Sequence, residues 1–247
     1  MARAKTGASL PHCYEFPMVS VAVDCAVFGW DINDGLHVLL IERGEKPFGH
    51  ALPGGFVRAK QENLETAARR ELEEETGVRN AHLEQFHAYG DPGRDDRGNH
   101  VISVAFFALV RRIDHKPRGG TDADTADWYP IQQARSLKLA FDHQTILSDA
   151  IDRLFEKLRH DPIAFKLLPR KFRLREVQLL YETARGQGDA EKGKVDKRNF
   201  RKKMLEMGLL EDTGETESDV RHRAARLYRF NNAEYEKKSR QGWKFDI

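Results

Sequence analysis

Apolar positions along the chain change period in a way that outlines its elements. VSVAVDCAVF, residues 19–28, is rich in β-branched and apolar residues and reads as a buried strand. After the turn residues Asn33, Asp34 and Gly35, LHVLLI at 36–41 reads as its hairpin partner. HLEQFHAY at 82–89 is expected to form a further strand. VISVAFFALV at 101–110 is apolar throughout, which implies burial on both faces. Between these lies a helical pattern in which Leu64, Ala67, Ala68 and Leu72 share one face, with Gly77 placed as its stop. From Leu139 the period turns helical again, and Leu147, Ile151, Leu154, Phe155 and Leu158 form one stripe of about fifteen residues. Asp142 is placed to cap that helix, with His143 a structural or catalytic histidine beside it.

Beyond Pro162 and Pro169 the pattern is that of a separate unit. LREVQLLYETAR at 174–185 is a helix with Val177, Leu180 and Tyr181 inward. A polar, glycine-rich loop follows at 186–194. Asp196 then caps a second helix at 197–205, KRNFRKKML, which buries Phe200, Met204 and Leu205 and leaves its cations outside. A strand beginning at Leu209-Leu210, a long turn at 213–220 and ARLYRF at 225–230 complete a hairpin. Helix, loop, basic helix and hairpin in that order make a winged helix-turn-helix. We set the divisions at 1–13, a flexible leader; 14–160, an α/β unit with its connector helix; and 161–247, the winged unit. Nothing in the sequence decides whether the tail at 236–247 packs or stays loose.

Charge sharpens this division. The chain of 247 residues carries a net +2, but residues 1–150 hold 17 Lys+Arg against 22 Asp+Glu, and residues 151–247 hold 24 against 17. An acidic first part joined to a basic second part points to a polyanion as the partner of the second. A helix fits the major groove, where Arg198 and Asn199 suit bidentate contacts to guanine and adenine. Lys197, Arg201, Lys202 and Lys203 suit phosphates, and Arg223 and Arg226 on the hairpin suit backbone or minor-groove contacts. Arg173 and Gln178 on the preceding helix complete the candidate DNA set. The two cysteines, Cys13 and Cys25, have no CxxC spacing, and no run of about 18 apolar residues is present. The chain is expected to be cytoplasmic, without a membrane span.

The stretch LPGGFVRAKQENLETAARRELEEETGV at 52–78 carries the candidate chemistry. Glu71, Glu74 and Glu75 fall on one helical face, and clustered carboxylates are the ligands a hard cation such as magnesium prefers. A solvated acidic face is the plain alternative. Gly54-Gly55 permits close approach of backbone to a ligand. The loop at 90–98 reads either as a solvated hairpin tip or as a rim placing Arg94 and Arg97 over a diphosphate. Arg43, at the end of the second strand, faces a phosphate or solvent.

Gly55, Glu62, Arg70, Glu71, Leu72, Glu74, Glu75, Gly77 and Val78 resemble the Nudix box, with one departure. Six residues rather than five separate Gly55 from Glu62, which argues against efficient hydrolysis. With DKRNFRKK, LYRF, RDDRG and LAFDH, the whole is similar to the Nudix-related transcriptional regulators of NAD metabolism, the NrtR family. That resemblance covers about residues 15–230. It departs at Arg173, where the family tends to have a capping Ser or Thr, and at Ala224, where a proline is expected. It implies a Nudix α/β/α sandwich followed by a winged helix-turn-helix, α+β overall, in a homodimer reading a palindromic operator. ADP-ribose is the implied effector, bound by Arg43, Gly55, Phe56, Arg58, Arg94 and Arg97. The rival reading is an ADP-ribose pyrophosphatase-like hydrolase in which Glu71, Glu74 and Glu75 hold Mg2+, with Glu71 and Glu74 catalytic.

Overall fold

The computed structural model describes residues 18–95, 100–119, 123–186, 190–218 and 224–246. The proposed leader and Cys13 therefore lie outside the described residues. Strand β1 (Ser20–Asp31) turns through Asn33 and Asp34, whose amides donate to Asp31 Oδ1 at 2.8 and 3.3 Å, into β2 (Gly35–Arg43). Two short strands follow, β3 (Gly49–Ala51) and β4 (Gly54–Phe56), then helix α1 (Leu64–Thr76), β5 (His82–Tyr89), β6 (Val101–Arg111) and β7 (Ala123–Pro130). A single 3-10 turn, Arg112–Asp114, lies between β6 and β7. The central order is β3-β2-β1-β6-β5, with β4 added to β1 and β7 to β2. Among the strands of the described residues, β1 and β6 alone pair in parallel, Ser20 against Val101 through Trp30 against Arg111.

Alternation along β1 and β6 builds two cores. Val23, Cys25, Val27, Val104, Phe106 and Ala108 face α1, against Ala67, Ala68 and Leu72. Ala26, Phe28, Trp30, Ala105, Phe107 and Leu109 face the other way, toward α3 (His143–His160), which is preceded by the short α2 (Ile131–Ser136). Successive side chains leave a strand on opposite faces, so two uninterrupted apolar runs suffice for a three-layer sandwich. Gly77 ends α1 as expected, at φ 72° with its N–H on the Glu73 carbonyl. Asn63 starts it by accepting from the Thr66 amide at 2.8 Å.

Helix α3 starts at His143, four residues after the helical pattern begins, because Phe141 adopts φ 54°. Asp142 occupies the N-cap position, yet its side chain makes no capping bond; Arg94 holds that carboxylate instead. Beyond α3 the larger core continues through Ile163, Ala164, Leu167, Leu168 and Phe172 into the winged unit. The division near 160 is thus a change of architecture within continuous packing. The short α4 (Ala164–Leu167) leads to α5 (Leu174–Arg185), α6 (Lys197–Glu206), and the hairpin β8 (Leu210–Thr216) and β9 (Arg226–Phe230). β8 runs into the stretch read as a turn, because Gly214 at φ 73° and a register irregularity between Asp212 and Thr216 let it bend while staying paired. The tail packs: α7 (Asn232–Arg240) sends Lys238 Nζ to the Met207 carbonyl at 2.5 Å, and Phe245 is 3% exposed.

Candidate effector cavity and nucleic-acid interface

A cavity of about 240 Å³ opens beside β4, lined by Asp24, Arg43, Glu45, Gly54, Gly55, Phe56, Glu71, Glu75, Arg94, Phe141 and His143 among others. The glycine pair is forced by crowding. A Cβ on Gly54 would meet the Val23 carbonyl at 2.2 Å, and one on Gly55 would meet Glu71 Oε1 at 2.5 Å. Phe141, in its left-handed conformation, lies under Arg43 with the guanidinium 4.9 Å from the ring centroid. Left-handed backbone at a non-glycine residue is costly and persists where its surroundings fix it. Here the turn delivers Phe141 and His143 to the cavity wall and leaves Asp142 to Arg94.

The buried floor is a network around Asp24, 6% exposed. Ser103 Oγ donates to Asp24 Oδ2, and His143 Nε2 lies 3.3 Å from Oδ1. The Leu52 amide donates to His143 Nδ1 at 3.0 Å, so the proton of the neutral ring sits on Nε2 and points at Asp24. Burial pushes the His143 pKa down, which keeps the ring neutral. Arg94 reaches Asp142 at 2.6 and 2.8 Å and Asp24 at 3.5 Å. The histidine is therefore structural as well as cavity-lining. Asp24 and Ser103 were not singled out by sequence reasoning, and Asp142 was read only as a helix cap. The available signal for Asp24 was a lone carboxylate within an apolar strand, which burial makes unfavourable without partners.

The box carboxylates are organised by an arginine. Arg70 donates to Glu62 at 2.6 and 2.9 Å, to Glu71 at 2.7 Å, to Glu74 at 3.0 Å and to the Phe56 carbonyl at 3.2 Å. The Arg70 guanidinium holds the Glu62 carboxyl down at about 2, whereas burial pushes Glu71 up. Glu75 accepts from the Gly54 amide at 2.8 Å. Glu71 and Glu75 line the cavity; Glu74 lies outside that lining, against Arg70 and Arg58. Among the described residues no three His, Cys, Asp or Glu side chains come together as a metal-ligand set. Of the three box carboxylates read as metal ligands, Glu71 and Glu74 are paired with Arg70, and Glu75 accepts from the Gly54 amide. Arg43 and Arg94 join Gly55 and Phe56 at the cavity. Arg58 is turned away to Glu74 at 3.3 Å. Arg97 lies outside the described residues.

The second surface is α6. Lys197, Arg198, Asn199, Arg201, Lys202 and Lys203 are all exposed, while Phe200 and Met204 are buried beneath them. Leu205, expected inward, is 39% exposed, because the helix buries only the stripe of Phe200 and Met204. Asp196 starts the helix by accepting from the Asn199 amide at 2.8 Å. Arg201 touches Tyr228 Oη at 3.3 Å, and Lys202 lies 3.8 Å from Glu206. Arg226 projects from β9 and pairs with Asp212. One expected DNA contact needs correction. Gln178 is 5% exposed and donates to Glu182 at 2.8 Å, so it belongs to the core beneath α6. Arg173 is at the start of α5 with its guanidinium held by Glu176 at 3.2 Å and Glu217 at 2.5 Å. The Ser or Thr cap is replaced there by Glu176, which accepts from the Arg173 amide at 2.7 Å. Arg223 lies outside the described residues.

A Nudix sandwich bearing a winged helix on a shared core defines the class of the protein. Residues 20–150 match the NUDIX domain, and residues 164–230 match the NrtR DNA-binding winged helix domain. The ADPR responsive transcriptional repressor NtrR of Acinetobacter baylyi is 36% identical over 231 residues, 90% of this chain and 86% of the relative. The ADP-ribose pyrophosphatase of Methanocaldococcus jannaschii is 41% identical over 114 residues, covering 45% of this chain and 64% of that enzyme. The structure of Shewanella oneidensis NrtR complexed with a 27mer DNA superposes with TM-score 0.70 at 28% identity, covering 91% of this chain and 97% of that one. The NUDIX domain of the same protein complexed with ADP ribose gives TM-score 0.52 at 30% identity, over 56% of this chain and 90% of that one. The chain belongs to the NrtR family.

Proposed function

We propose that this protein is a DNA-binding transcriptional repressor whose Nudix cavity takes ADP-ribose, and that the ligand weakens its hold on operator DNA. The observation that carries the reading is one continuous core joining the cavity-bearing sandwich to a helix whose exposed face holds five cations and Asn199. In the cavity, Arg43 and Arg94 supply positive charge for a diphosphate, and Gly54 and Gly55 let backbone approach it. Arg94 is also tied to Asp142, one residue before α3, so a ligand that competes for Arg94 acts on the helix shared with the winged unit. Differential affinity for two arrangements of that helix is all that coupling requires. A homodimer would place two α6 helices on the half-sites of a palindrome. The family relationships support this reading, which implies a cytoplasmic protein.

A hydrolase is the second reading, favoured by the presence of every box carboxylate. Against it stand the Arg70 ion pairs and the position of Glu74. Titrating a fluorescent palindromic duplex with and without ADP-ribose, while following ADP-ribose cleavage, tests both. Binding that ADP-ribose weakens tenfold or more, with cleavage near background, is expected. Rapid cleavage without duplex binding would replace this reading with the hydrolase.

A further inference from the structure

Phe141 adopts a φ of 54°, in the left-handed region that is costly for any residue with a Cβ. Two backbone hydrogen bonds fix the turn around it. The Ala140 amide donates to the His50 carbonyl at 2.8 Å, and the His143 amide to the Ala140 carbonyl at 3.2 Å. Held in this way, the Phe141 ring lines the cavity with the Arg43 guanidinium over it, 4.9 Å from the ring centroid. Arg43 Nε donates to the Pro47 carbonyl at 2.9 Å. Among the described residues, the terminal nitrogens of Arg43 enter no hydrogen bond and no ion pair. Arg94, on the same cavity, is instead neutralised by Asp142 at 2.6 and 2.8 Å. A carboxylate that fixes an arginine also cancels its charge, whereas a ring face fixes it and leaves the fork of N–H donors open.

We infer that Phe141 is a positioning residue for anion binding: its ring and the Pro47 carbonyl hold the Arg43 guanidinium at the cavity with its terminal N–H groups free for a phosphate oxygen. Phe141 thus acts on ligand affinity through Arg43. Its packing against the cluster of Ile41, Ala51 and Ala140 asks only for apolar bulk, which leucine also supplies. The contact with Arg43 asks for a ring. Because Phe141 and Asp142 are successive, the one turn before α3 governs both cavity arginines, Arg43 through a ring face and Arg94 through a carboxylate. That the anion is ADP-ribose rests on the function proposed above; the position of Arg43 does not.

Two readouts on the full chain separate these claims. The first needs no ligand. The Arg43 Nε–H resonance, assigned by its loss in Arg43→Gln, should be displaced upfield by the ring beneath it. Phe141→Leu should move it downfield, and Phe141→Tyr should leave it in place. The second is ADP-ribose affinity by calorimetry. It should fall at least threefold in Phe141→Leu, return in Phe141→Tyr, which keeps the ring, and fall no further when Phe141→Leu is added to Arg43→Gln. An Arg43 resonance indifferent to Phe141→Leu overturns the inference. So does a Phe141→Leu loss of equal size with and without Arg43, since the ring would then act on the ligand or the fold directly. A wild-type protein that takes up no ADP-ribose overturns the ADP-ribose reading alone; inorganic pyrophosphate then supplies the anion for the same comparison, and a protein that binds neither overturns the inference as well.

Discussion

Replacing Asp24 by Ala removes the acceptor at the floor of the effector cavity, and its cost can be worked from three contacts. Ser103, fully buried, loses the oxygen its hydroxyl donates to, and His143, 5% exposed, loses the partner of its Nε2–H. Each buried donor left unsatisfied costs about 1–3 kcal/mol. Arg94 loses only its 3.5 Å contact and keeps Asp142. The sum is about 2–6 kcal/mol, which brackets the roughly 3–5 kcal/mol for breaking a buried ionic network by removing one partner, and is a large part of an ordinary domain's stability. Asp24→Asn is the control. Its oxygen still accepts from His143, and its amide donates to the Ser103 hydroxyl, so only the charge-dependent part, about 1–2 kcal/mol, is lost. Urea unfolding of the full chain at neutral pH, followed by circular dichroism, reads both. An Asp24→Ala cost below about 1 kcal/mol, or an Asn variant less stable than the Ala variant, would refute the assigned tautomer and network.

Other outcomes follow from the same geometry. Lys197→Ala with Lys203→Ala should lower the slope of log K against log salt by about 2, as two phosphate contacts disappear, with little change in sequence preference; an unchanged slope would remove these lysines from the interface. Gly55→Ala places a methyl 2.5 Å from a Glu71 oxygen held by Arg70, so it should cost about 1–3 kcal/mol and weaken ADP-ribose binding; calorimetry and urea unfolding check both effects. Glu62 has its carboxyl held at about 2 against an ordinary 4.5, a depressed value, so its stabilisation is complete above pH 4.5 and lost as pH falls toward 2. Glu62→Gln should therefore be less stable at neutral pH by a margin that closes on acidification, and a margin independent of pH would contradict the Arg70 pairing.

Local pattern made the principal strands, α1, α5 and α6 legible, because each buries a face with its own period. Elements whose burial depends on distant partners were less visible. β7 adds to β2 through residues 123–130 that have no apolar alternation of their own, and β3 and β4 are three residues each. The same holds at the cavity. The glycine pair and Glu71 were evident from spacing, but Asp24 meets Ser103 from a strand 79 residues away, and Arg94 meets Asp142 across 48. Gln178 was misplaced because its helix is covered on two sides, so an outward position on the single apolar stripe is still buried, beside Glu182.

The most direct test of the account is duplex affinity as a function of ADP-ribose at fixed salt, with Arg94→Gln in parallel. The account predicts that ADP-ribose raises the dissociation constant of the wild-type complex at least tenfold. The Arg94→Gln protein should still bind the duplex, with a much smaller response to ligand. An affinity unchanged by saturating ADP-ribose, or an unaltered response in Arg94→Gln, would contradict it.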